Sequence, residues 1–146
     1  MAVLSMHNIR QLASEGKAYK DYPDPNNPKR RILAEPVTIQ YSFGKTVVVG
    51  AGFSWDEASV PWLFQWAFPK SGEHAYAALP HDVAYYAKFC TRDEADFEYY
   101  KWSLMMGAGT FSSLCRYAAL RLFGWHWWNR TPSRYAIANR LKIEIV

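Results

Sequence analysis

Pro80-His81-Asp82-Val83-Ala84-Tyr85-Tyr86-Ala87-Lys88-Phe89-Cys90-Thr91-Arg92-Asp93-Glu94-Ala95-Asp96-Phe97-Glu98-Tyr99-Tyr100 is the stretch whose reading settles the fold. On a helix, His81 and Tyr85 are four residues apart and share a face, while Asp82 points about 100° away. Thr91 and Glu94 have the spacing of a capping box, with Asp93 and Glu94 placing acidic residues in the first turn of a new helix. The stretch therefore predicts two helices joined by a short link. Packed antiparallel, they bring Asp96 against His81 and Tyr85. The first runs from Ser71 or Gly72 to Phe89, where the internal Pro80 either kinks it or marks its true first turn. The second begins at Thr91 and ends near Gly107 or Gly109.

Working outward, a third helix is expected from Thr110 or Phe111 to Phe123, with Gly124 as its C′ glycine. Upstream, Pro36–Tyr41 and Lys45–Val49 are short β-branched runs around Ser42-Phe43-Gly44, a hairpin signal. Gly50-Ala51-Gly52 ends the second strand and opens a loop to Pro61. Trp62, Leu63, Trp66 and Ala67 then recur at helical spacing before Pro69. Residues 1–35 read as an irregular N-terminal arm, because the segment from Asp21 to Pro28 is rich in turn residues. Residues 36–124 form a single α+β domain, a small antiparallel β-hairpin or sheet packed on a bundle of three main α-helices. Residues 125–146 are a tail rich in Trp and Arg.

Composition narrows the function classes. The 146 residues are 50% hydrophobic, 21% charged and 17% aromatic, with a net charge of +4, which excludes intrinsic disorder. A chain of this length buries roughly 70% of the surface its unfolded form exposes, so it needs no metal or disulfide to fold. No apolar run approaches the ~20 residues of a membrane span, and no signal peptide is visible. Cys90 and Cys115 lack metal-ligand or redox spacing and read as free thiols. Residues 1–102 carry eleven Lys and Arg against twelve Asp and Glu, whereas residues 103–146 carry six against one. Basic residues interleaved with Trp125, Trp127, Trp128 and Tyr135 suit an anionic partner or a membrane interface. Nucleic acid is disfavoured, since no zinc-ligand set, aromatic RNA-binding signature or long basic run is present.

The chemistry-bearing residues are His81, Asp82, Tyr85 and Asp96. A buried carboxylate beside an imidazole fixes its tautomer, as a histidine general base requires, and Asp82 is aimed elsewhere, free to ligate a hard cation. Asp56 or Ser59 caps a helix start near Val60-Pro61, or else Asp56 joins Asp82 and Asp96 as a third carboxylate. Three such groups together need a cation or a proton. His7, His74 and His126 offer no metal-ligand set. No nucleophile elbow, phosphate-binding loop or dinucleotide fingerprint is present.

These residues resemble the catalytic helix pair of secreted phospholipases A2, most closely the cysteine-poor bacterial and parvoviral versions, over about twenty residues from Pro80 to Tyr100. The resemblance implies that His81 activates a water for ester hydrolysis, that Asp96 orients it with help from Tyr85, and that Asp82 binds calcium; the three-carboxylate argument, apart from the resemblance, adds Asp56 as a further metal candidate. The glycine-rich calcium loop of that family has no counterpart; the nearest run is Gly50-Ala51-Gly52-Phe53.

A second resemblance spans Pro36 to Gly124. The order Gly52-Phe53-x-x-Asp56-x-Ala58-Ser59-Val60-Pro61, then His81-Asp82-x-x-Tyr85, Arg92-x-x-Ala95-Asp96 and Arg116 to Gly124 is similar to a family of tailed bacteriophages and prophages known only as a domain of unknown function. Trp55 stands where that family usually has threonine. The resemblance implies a phage origin, in the particle or the host cytoplasm.

Two readings follow. In the favoured one, the chain is a virion or accessory protein whose polar cluster stabilises the fold. Its arm and Trp-rich tail then grip other phage structural proteins or a second copy. In the alternative it is a calcium-assisted hydrolase acting through a His81-activated water on phospholipid or other ester bonds, seated on an anionic membrane by its tail.

Overall fold

The computed structural model describes residues 1–56, 72–129 and 134–146. Ser59, Val60, Pro61 and the expected helical stretch from Trp62 to Ala67 lie outside the described residues, as does Arg130. Along the chain the elements are β1 (Ala2–Ser5), α1 (Ile9–Ser14), β2 (Asp21–Asp24), β3 (Asn27–Leu33), β4 (Val37–Gln40), β5 (Thr46–Val49) and β6 (Ser54–Asp56). Then come α2 (Gly72–Ala87), α3 (Arg92–Met105), α4 (Thr110–Phe123), α5 (Trp125–Trp128), α6 (Arg134–Arg140) and β7 (Ile143–Ile145). The architecture is α+β, as expected.

The hairpin sits at the centre of a larger sheet. β4 and β5 pair antiparallel with Val37 opposite Val49 and Ile39 opposite Val47. All four side chains are buried while their neighbours are not, the alternation of a strand with one covered face. Gly44, at φ +90°, makes the turn between them. β1 adds parallel to β4 and β7 antiparallel to β5, giving the order β1-β4-β5-β7. A second, antiparallel sheet has the order β2-β3-β6.

The segment expected to be an irregular arm thus contains three strands and a short helix. Its turn residues are real but local: Asp24 accepts the Asn26 N–H at 2.8 Å, closing the tip of the β2–β3 hairpin. Pro23 is tolerated because β2 is an edge strand. The tail likewise contributes α6 and β7. Strands of three or four residues carry too little alternation to be read alone; β1 and β7 take their order from the hairpin they flank.

The inner face of the four-stranded sheet, with Leu4, Val37, Ile39, Val47 and Val49, shares one apolar core with Leu79, Val83 and Trp102 of the helices. Each aliphatic side chain fully buried there is worth roughly 1.5–3 kcal/mol. Glu98, on α3, is wholly buried and accepts from the Ser42 N–H (3.0 Å), the Ser42 hydroxyl (2.7 Å) and the Trp102 indole (2.9 Å). The hairpin turn is thereby pinned to α3. Asn139 of α6 exchanges two hydrogen bonds with the backbone of Ser54, fixing the tail to β6.

The α3 capping box forms as expected, with Thr91 and Glu94 each bonding the other's backbone N–H at 3.1 Å. Helix α2 stops at Ala87, short of the expected Phe89, because Lys88 turns left-handed at φ 53°. Gly124 departs from expectation: its φ of −63° and ψ of −22° are right-handed, so it is not a left-handed C′ glycine. Its value lies in the space it leaves beside α2.

Candidate functional site

The link from Lys88 to Thr91 sets α2 against α3, and the expected meeting of side chains takes place between them. His81 Nε2 lies 2.9 Å from Asp96 Oδ1, and the Tyr85 hydroxyl donates to the same oxygen at 2.6 Å. Tyr85 also packs its ring on the imidazole, with centroids 4.2 Å apart. His81 and Asp96 are buried, Asp96 completely. Pro80 lies inside α2, and its carbonyl accepts the Tyr41 hydroxyl at 2.7 Å, tying this turn to the hairpin.

The second oxygen of Asp96 faces two arginines. Arg121 Nη1 of α4 donates to Oδ2 at 2.9 Å, and Arg92 Nη1 contacts it at 3.4 Å from one helical turn away. Arg92 also donates to the carbonyls of Leu120 (2.9 Å) and Arg121 (3.2 Å), so it closes the end of α4 as well. One wholly buried carboxylate therefore collects donors from α2, α3 and α4. Gly124 makes this approach possible: a Cβ there would lie 2.5 Å from the Tyr85 hydroxyl and 3.0 Å from Arg92, and would also strike the Leu120 carbonyl. Trp128 then lies edge-on to Tyr85 at 5.1 Å.

Asp82 stands on the other side of the ring. Its Oδ1 is 3.4 Å from His81 Nδ1, and its Oδ2 accepts the Asp56 N–H at 3.2 Å, linking α2 to β6. Both imidazole nitrogens thus face carboxylates. Burial alone favours neutral imidazole, but the hydrogen bonds and charges of Asp82 and Asp96 outweigh it and push His81 up to about 9. Asp96 moves the opposite way: burial would raise it, and the bonds from His81, Tyr85 and Arg121 hold it below the ordinary carboxylate range. Asp82 is raised, by burial first and with the nearby Asp56 charge adding to it, against the pull of His81. In this arrangement the two carboxylates favour the doubly protonated form of His81.

A calcium site was implied at Asp82 and Asp56. Calcium takes about six to eight oxygen ligands. Among the described residues no group of three or more His, Cys, Asp or Glu is placed to hold a metal ion. The glycine run is also committed elsewhere: the Lys142 ammonium donates to the Gly52 carbonyl at 3.1 Å, and the Gly50 N–H bonds the Lys142 carbonyl at 2.7 Å.

The structure brings His81, Asp96, Tyr85 and Asp82 together, and joins Asp56 to them through its backbone. Arg121, Arg92 and Gly124 belong to the same cluster and were not assigned to it from sequence. Arg92 stands four residues before Asp96, a spacing that could have found it; Arg121 gives no local signal. Of the other histidines, His74 is buried between Ser103 (3.1 Å) and Ser112 (3.3 Å), while His7 and His126 are exposed. Both cysteines are free thiols. Among the described residues, no helix is long and apolar enough to cross a membrane.

A family model described as a protein of unknown function, DUF1353, matches residues 32–120, more than half of the chain. No curated protein and no solved structure matches.

Proposed function

We propose, for a chain that belongs to the DUF1353 family of proteins of unknown function, that it is a phage-encoded virion or accessory protein in which the His81 cluster is a structural knot laid out like a phospholipase A2 site. The observation that carries this reading is the engagement of both imidazole nitrogens by carboxylates, with Asp96 wholly buried among donors from three helices. A wholly buried carboxylate that loses one such donor has no water to replace it, so the cluster favours the one arrangement of helices that supplies them all. An imidazolium has no lone pair with which to take a proton from water. The phage assignment rests on the motif order from Gly52 to Gly124.

The contact between Nδ1 and Asp82 favours a second reading. At 3.4 Å it is the longest bond His81 makes, and the Asp82 side chain remains 22% exposed. A substrate that drew Asp82 aside would free Nδ1. His81 would then act as general base on a water attacking an ester carbonyl, with Asp96 and Tyr85 orienting the ring.

Fatty-acid release from anionic phospholipid vesicles, with and without calcium, separates the two. The native protein is expected to release no more than His81→Gln, and His81→Gln to melt at a clearly lower temperature. Release that disappears in His81→Gln while its melting temperature is unchanged would overturn the structural reading and establish the hydrolase.

A further inference from the structure

Helix α4 buries one side, with Ser113 and Arg116 inward, and turns Arg121 toward Asp93 and Asp96. Its opposite side is apolar and open. Phe111 is 82% exposed, Leu114 47%, Leu122 66% and, just past Gly124, Trp125 56%, with Ala118 exposed between them. Gly124 is right-handed and its N–H bonds the Leu120 carbonyl at 2.7 Å, closing α4, and Trp125 opens α5 immediately beyond it. At about 100° per residue Phe111, Leu114, Ala118 and Leu122 fall in one sector about 80° wide, and Trp125 stands exposed just past its end.

Their spacing is symmetric. Counted from Ala118, the others stand at −7, −4, +4 and +7. We propose that this face is the interface of a two-fold homodimer in which α4 crosses α4 of a second copy antiparallel at Ala118. That pairing sets Phe111 against the other copy's Trp125 and Leu114 against its Leu122, and puts the two small Ala118 side chains on the axis, where they allow close approach. An isologous interface requires a patch complementary to itself, and a stripe with this symmetry is one.

Charge and area favour a second copy over other occupants. Glu144 is the sole acidic residue after Glu98, and neither arginine of α4 faces this stripe, Arg116 being buried and Arg121 ion-paired. An uncharged face has nothing to repel its own copy and lacks the basic cluster that draws a helix to anionic lipid. The five side chains leave roughly 500 Å² exposed in each copy, so complete pairing covers at most about 1,000 Å², the lower bound for a specific interface.

The test uses the full chain at tens of micromolar in analytical ultracentrifugation, with anionic vesicle flotation alongside. A dimer is expected, and Leu122→Asp should raise its dissociation constant more than about tenfold with an unchanged thermal melt. In a Cys115→Ser background, Ala118→Cys should oxidise to a covalent dimer while Asn129→Cys does not, since only the axial pair comes within disulfide reach. A protein that stays monomeric overturns the proposal, and one that is monomeric yet floats with vesicles gives the face to lipid. A dimer that survives Leu122→Asp and leaves Ala118→Cys uncrosslinked overturns it too, placing self-association elsewhere.

Discussion

At Gly124 and Asp96 single atoms decide whether three helices meet. Adding one methyl group at Gly124 would collide with the Tyr85 hydroxyl and the Leu120 carbonyl, so Gly124→Ala is expected to cost about 1–3 kcal/mol by overpacking, measured by urea unfolding. The two buried histidines impose opposite pH dependences. His81 is raised from 6.5 to about 9, so its contribution is complete below pH 6.5 and is lost as pH rises through 9. His74 is lowered to about 4, first by burial and then by the Arg116 charge. Its neutral form is favoured in the fold, so stability falls as pH drops from 6.5 through 4. Thermal melts between pH 4 and 9.5 should therefore peak near neutrality. His81→Gln should flatten the alkaline limb and His74→Gln the acid limb; a native profile that keeps rising toward pH 9 would contradict the assignment for His81.

Local signals set some elements and neighbours set others. The capping box of α3 is legible in Thr91 and Glu94 because all its atoms lie within one turn. Thr91→Ala should cost about 1 kcal/mol and, because it loosens the start of α3, lower the melting temperature by several degrees. The β4–β5 hairpin is legible for the same reason: its alternation and its turn are local. β1 and β7 are not, since their strand character depends on Val37–Gln40 and Thr46–Val49 lying alongside them. In the cluster, His81, Tyr85 and Asp96 could be read from two consecutive helices. Arg121 could not, because it stands 25 residues beyond Asp96 and reaches it only when α4 packs on α3. Glu98, which anchors the hairpin turn, is likewise a long-range partner of Ser42.

Across the whole molecule, both ends of the chain are stitched into the sheet that carries the hairpin, and the tail is further held by the Asn139–Ser54 exchange. Removing residues 141–146 strips β7 and the Lys142 contacts from Gly50 and Gly52. The truncated chain should show faster amide exchange at Val47 and Val49 while the His81 cluster stays protected; loss of protection throughout would mean that β7 holds the fold as a unit. A double-mutant cycle in urea between His81→Gln and Asp96→Asn reads how strongly the cluster holds together. A coupling energy of about 1–3 kcal/mol is expected, because the pair is buried and charged. A coupling near zero, with both single variants as stable as the native protein, would contradict it.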